Sequence, residues 1–265
     1  MGKVIGILSL KGGVGKTTSV VSLGASLSKI GKKVLLIDGN LSAPNLGIHL
    51  DLIAPKKTLH HVLNGDSSLE EAIYEVSGMD VLPASIFHSL KVSPLKLIPK
   101  VKELKKSYDV ILIDSSPSLG DETLAVISSS DELLVVTTPD FSTLSMTLKS
   151  VKTAKNKGTP ITGIILNKAY NKNFELELDE IERTTGVPVM AVIPHDVNIL
   201  KSQAYFIPSL NLKPNSPGNV EFKKLAALLV GEKYVSSVKI FSLFSKVLPK
   251  RQDINREIFY NSIFN

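Results

Sequence analysis

The sequence predicts an α/β fold: a doubly wound, mostly parallel sheet with helices on both faces. Three observations carry this. Short apolar runs alternate with helix-like stretches along the chain. The runs are β-branched and continuously apolar, as strands covered on both faces must be. The first run feeds a glycine loop and then a helix, LSLKGGVGKTTSV. Helices alternating with strands imply right-handed crossovers and a parallel sheet.

In order, strands are expected at Val4–Leu8, Lys33–Ile37, Met79–Leu82, Asp109–Ile113, Glu132–Thr137, Ile161–Leu166 and Val187–Ile193. Between them the 3.6-residue period marks helices at Thr17–Ile30, Leu69–Val76, Pro94–Lys105, Glu122–Ser129, Ser142–Asn156, Phe174–Thr184 and Asn219–Glu232. A chain of 265 residues suits one such domain with a sizeable core. Residues 1–232 form the domain on this reading, and 233–265 form a tail.

Composition narrows the chemistry. There is no cysteine, which excludes disulfides, zinc–thiolate and iron–sulfur sites and cysteine nucleophiles. The N-terminal apolar run is short and broken by Gly6, so it is not read as a signal peptide, and no apolar run is long enough to span a bilayer. The net charge of +6 points to an anionic partner, either nucleic acid or lipid head groups. His60 and His61 lie in an amphipathic segment as surface or packing residues, with no third ligand at metal spacing.

The strongest motif is KGGVGKTT. Gly12, Gly13 and Gly15, with Val14 between them, let backbone N–H groups converge on a phosphate chain. The following helix adds its positive N-terminal end. Lys16 reaches the β- and γ-phosphates, Thr17 offers a hydroxyl to Mg²⁺, and Thr18 belongs with the nucleotide-binding residues. The sheet is therefore that of a P-loop NTPase. A second lysine, Lys11, opens the same loop. Further on, VILIDSSP ends a strand at Asp114, where a water-bridged Mg²⁺ ligand belongs. An aspartate that merely starts a turn is the plainer alternative there.

With its two lysines, KGGVGKTT resembles the deviant Walker A loop of the MinD/ParA family of ATPases, and the resemblance extends over residues 2 to about 232. It implies ATP and Mg²⁺ as cofactors and a homodimer formed on ATP binding, in which Lys11 crosses to the partner's nucleotide. A lysine that is only solvated at the loop's edge is the alternative. Asp38 matches an aspartate used near the metal, and Asn45–Leu46 match a later pair. The family's second aspartate, which helps activate the attacking water, is Asn40 here, and an amide cannot accept that proton. Hydrolysis is accordingly expected to be slow, or another group such as Asp38 takes over the catalytic role. Asn167, Pro194 and Asp196 fall where family members contact adenine, and TTPDFSTL resembles a loop leading into an interface helix.

The tail adds a docking surface. Taken as a helix, 239–248 puts Ile240, Phe241, Leu243, Phe244, Val247 and Leu248 within an arc of ~160°. Lysines and serines fill the other side. Such a helix lies in an anionic membrane surface, and MinD-like members end in one. Docking on the protein's own core is the alternative. The expectation is a MinD-like ATPase switch, peripherally bound to the inner face of the cell membrane, with an unidentified protein partner or activator. A ParA-like ATPase that binds DNA, or a scaffold with negligible turnover, is the competing reading.

Overall fold

A computed structural model describes residues 2–87 and 92–234. The order of the main elements is β1 (Lys3–Leu8), α1 (Lys16–Lys29), β2 (Val34–Asp38), α2 (Leu46–His49), α3 (Leu59–Asn64), α4 (Leu69–Ala72), β3 (Tyr74–Val76) and β4 (Met79–Leu82). Then come α5 (Leu97–Leu104), β5 (Val110–Asp114), α6 (Asp121–Ser129), β6 (Glu132–Thr137), α7 (Phe141–Lys157) and β7 (Ile161–Ala169). The described chain closes with α8 (Leu178–Thr185), β8 (Val189–Pro194), α9 (Val197–Ala204), α10 (Ser209–Leu212) and α11 (Pro217–Leu229).

Eight strands form one sheet in the order β3-β4-β2-β5-β1-β6-β7-β8. All pairings are parallel except β3 with β4. The strands are buried on both faces, and alternation within each strand divides them between two cores. Ile111 and Ile113 of β5 join the core under α3 to α8, while Val110 and Leu112 join the one under α1, α2 and α11. The sequence-based fold class holds.

Some boundaries differ from expectation. Leu69–Val76 is not one helix. It ends at Ala72, and Tyr74–Val76 turns back as an antiparallel strand on β4. Ser77 and Gly78 carry φ of 55° and 77°, a two-residue hairpin turn of the primed kind that matches strand twist. Pro94–Lys105 splits into a 3₁₀ turn and α5, and the helix expected from Phe174 begins at Leu178. His60 is a packing residue: it is buried, and its Nδ1 accepts from the Ser85 amide at 3.1 Å. The tail expected to carry an amphipathic helix at 239–248 lies outside the described residues.

The topology fixes where a site can form. From β1 the chain winds outward to β2, returns to β5, then passes β1 to reach β6. At such a reversal the loops beyond the carboxyl ends of the strands open into a crevice.

Candidate functional site

That crevice holds a cleft of about 400 Å³. It is lined by the whole Lys11–Thr18 loop, by Asn40, Asn45 and His49, by Pro117, and by Asn167, Lys168, Pro194, His195 and Asp196. Positions as far apart as Gly13 and Lys168, 155 residues, meet here because the loops after several parallel strands converge on it.

The loop has the geometry of a phosphate cradle. Gly13 and Gly15 have φ of 78° and 93°, which favours glycine. A Cβ on Gly12 or Gly13 would meet nothing within 4 Å, so their surroundings are open to a ligand. Gly15 is different. A Cβ there would come within 2.2 Å of Asn167 Nδ2, because β7 closes against the loop.

Lys16 begins α1 and points to the tip of β5, where its Nζ lies 3.0 Å from Asp114 Oδ1. Thr17 Oγ1 donates to Asp114 Oδ2 at 2.5 Å. Lysine and aspartate are both buried, a pairing that balances their desolvation. Asp38 pairs in register with Asp114 on the adjacent strand and is fully buried. Its Oδ1 accepts from the amide of Asn40 (3.2 Å), and its Oδ2 from Asn45 (3.1 Å) and Leu46 (3.0 Å). Burial, reinforced by the nearby Asp114 charge, pushes the Asp38 carboxyl up to about 7 despite those amides.

A hydroxyl and two carboxylates beside a glycine cradle fit Mg²⁺, which is held by few protein oxygens plus phosphates. Among the described residues no group of three or more His, Cys, Asp or Glu side chains is placed to hold a metal ion. Once bound, Mg²⁺ neutralises developing phosphate charge. Thr17 and Asp114, with Asp38 behind them, are the groups that would hold it.

Asn40 stands at the cleft's edge, buried, with Nδ2 donating to the Ala43 carbonyl and Oδ1 without a hydrogen-bond partner. Asn45 projects from the same segment. His49 lines the same end and was not anticipated from sequence. Burial lowers its pKa, the Asp114 charge opposing, so the ring is neutral at pH 7.

Lys11 turns away from the cradle. Its Nζ donates to Thr143 Oγ1 at 2.7 Å and meets Asp140 Oδ1 and Ser142 Oγ at 3.3 Å each. Asp140 is the N-cap of α7, accepting from the Thr143 amide at 2.9 Å. Burial opposes ionisation of Asp140. Hydrogen bonds from Thr138, Thr143 and Lys11 outweigh it and bring the carboxyl down to about 2.

At the far end, Asn167 Nδ2 donates to Val14 O at 2.7 Å, so this amide is tied to the loop. Asp196 caps α9 through the Asn198 amide at 2.9 Å and also accepts from the Gly218 amide at 3.1 Å. Pro194 lines the wall beside it. His195 stacks on Tyr170 with centroids 4.7 Å apart. Gln203 of α9 donates to Thr18 Oγ1 at 2.8 Å, joining this wall to α1.

Fold and site together define a P-loop nucleotide-binding ATPase. A family model described as "AAA domain" matches residues 2–161. An uncharacterized ATP-binding protein of Methanocaldococcus jannaschii is 37% identical over 242 residues, 90% of this chain and 92% of that one. The septum site-determining protein MinD of Thermotoga maritima is 34% identical over 243 residues, 88% of this chain and 89% of that one. The structure of MinD from Pyrococcus horikoshii complexed with Mg-ADP superposes with a TM-score of 0.81 at 37% identity, covering 86% and 96% of the two chains. The chain belongs to the MinD/ParA family of P-loop ATPases.

Proposed function

We propose that this protein is an ATP-dependent switch whose two states differ in oligomerisation and surface attachment. In the proposed cycle, ATP and Mg²⁺ occupy the Lys11–Thr18 cleft. Two ATP-loaded copies meet face to face, and Lys11 of each reaches the other's nucleotide. The pair attaches to an anionic membrane surface through residues 239–248.

The observation that carries this reading is the position of Lys11. It lies on the phosphate loop, yet Lys16 already fills the cradle role, and the Lys11 side chain is 37% exposed at the mouth. The surrounding surface is apolar enough to be covered. Leu200 lines the cleft and is 45% exposed, and Phe141, beside the Lys11 partner Asp140, is 71% exposed. Closure costs Lys11 its present contacts with Asp140 and Thr143, and bound phosphate replaces them with equally charged acceptors.

Slow hydrolysis belongs to the same proposal. Asn40 can hold a water by its free Oδ1 but cannot take the proton, so the ATP-bound pair is long-lived. The relatives named MinD and their MgADP-bound structure support nucleotide and Mg²⁺ as the ligands here. One tail binds weakly and two bind by avidity.

Sedimentation with vesicles containing anionic lipid tests the attachment. The intact protein should co-sediment with ATP and not with ADP, and a chain ending at Lys233 should stay in the supernatant. Equal binding of the shortened chain would sink the membrane assignment. ATP-dependent binding to duplex DNA instead would favour the partition-type reading.

A further inference from the structure

The end of α9 differs from the chain's other helix ends. Where α3, α7 and α8 stop, a glycine takes the left-handed position: Gly65, Gly158 and Gly186, with φ of 91°, 76° and 64°. α9 stops at Ala204, and there the left-handed position is held by Phe206, with φ of 54°. The Phe206 amide donates to Gln203 O at 3.2 Å and the Ile207 amide to Ser202 O at 3.2 Å, the two bonds that close a helix around such a residue. An aromatic side chain in that slot is strained, because its Cβ crowds the backbone. Burial does not offset the strain. Phe206 is 38% exposed, Tyr205 before it 64% and Ile207 after it 36%.

Four successive apolar residues, 204 to 207, thus stand exposed on a fixed base. Pro208 and Ser209 directly behind them are buried. Ser209 Oγ donates to Asn219 Oδ1 at 2.6 Å, and Asn219 Nδ2 to Lys213 O at 2.9 Å, which ties the base to the start of α11. The charge around the loop has one sign. From Val197 to Val220 the chain has two lysines, Lys201 and Lys213, and no aspartate or glutamate. Both lysines are exposed, and neither is ion-paired among the described residues. A contiguous exposed apolar run marks a surface that something covers. Tyrosine and phenylalanine suit the boundary between headgroups and acyl chains, and unpaired lysines beside them suit anionic headgroups. Strain of this kind persists where a projecting side chain serves a function.

We propose that Tyr205–Ile207 is a membrane-inserting loop, with Lys201 and Lys213 on anionic headgroups, and that it is a second lipid contact separate from the tail. The proposal rests on the membrane-attachment reading given above and adds to it a site built of described residues. The loop stands at the N-terminal end of α11, whose 13 residues carry the chain about 20 Å before it continues toward 239–248. Two contacts spaced along one chain hold a surface more tightly than either alone.

The chain has no tryptophan, so Tyr205→Trp places a single fluorescent reporter on the loop. With ATP, Mg²⁺ and vesicles of phosphatidylglycerol and phosphatidylcholine, emission of the full-length variant should move to shorter wavelength and be quenched by brominated acyl chains. Co-sedimentation without that shift would confine attachment to the tail and overturn the loop assignment. The same shift with ATP but without vesicles would mean that a second copy covers the loop, and would overturn it as well. In parallel, Phe206→Gly and the double variant Lys201→Gln with Lys213→Gln should each bind these vesicles about tenfold more weakly. Phe206→Gly should match or exceed the wild-type melting temperature, because the strain leaves with the ring. Wild-type vesicle binding in both variants would overturn the proposal. Failure of the wild type itself to co-sediment would overturn the attachment reading, and the loop's role with it.

Discussion

Two side chains decide how this site departs from an ordinary phosphate loop. Asn40 is buried with its amide nitrogen on Ala43 O and its oxygen unpartnered. Replacing it by aspartate removes the Ala43 bond and should cost about 1 kcal/mol of stability in a denaturant melt. The same change supplies a proton acceptor, so steady-state turnover of ATP should rise about tenfold or more. An unchanged or lower turnover would separate Asn40 from the rate. Asp140 carries the other device. Its carboxyl ionises near pH 2 in the fold and near 4 when unfolded, so it stabilises the protein fully above about pH 4. That contribution is lost as pH falls from about 4 toward 2. Asp140→Asn should flatten this part of the unfolding profile, measured by circular dichroism across that range. The residue scale is also where sequence was least informative. Gly12, Gly13, Gly15, Lys16 and Thr17 were legible because their spacing is local. The contacts of Lys11 with Asp140, and of Asn167 and Lys168 with the loop, join positions about 130 to 155 apart. Nothing in the neighbouring residues announces such pairings.

At the scale of elements, length governed what could be read. The strands carry continuous apolar runs and α1, α6, α7 and α11 span nine residues or more, enough for a period to show. The elements that went unread are short. α2 and α10 have four residues each, β3 three, α3 six and α9 eight, and α4 is only the first four residues of the longer helix expected there. Ser68 and Glu71 form a capping box that starts α4, and the Ser77–Gly78 turn then folds β3 onto β4. That turn was the available signal against one helix over Leu69–Val76. The long elements carry the stability. α11 packs on α1 and β8 through Phe222, one of the largest fully buried side chains. Phe222→Ala should lower unfolding free energy by about 3–5 kcal/mol in urea. A loss under about 1 kcal/mol would mean that this helix is dispensable to the core.

For the whole molecule, the sheet order explains why one end of the fold does the chemistry. β1, β5 and β2 are adjacent, and their carboxyl ends deliver the phosphate loop, Asp114 and Asp38 to one place. β6, β7 and β8 lie on the other side; β7 and β8 bring Lys168 and His195 to the same crevice, and Asp140 after β6 meets Lys11. In the proposed switch a second copy completes the site, Lys11 being held here on the start of α7. Among the described residues no helix is long and apolar enough to cross a membrane. The central claim is that Lys11 closes an ATP-dependent dimer. Light scattering after size exclusion, on wild type and Lys11→Ala with ATP and with ADP, tests it most directly. The account predicts a dimer only for wild type with ATP, while Lys11→Ala stays monomeric and still binds ADP within a few-fold of wild type. A Lys11→Ala protein that dimerises with ATP as the wild type does would contradict it.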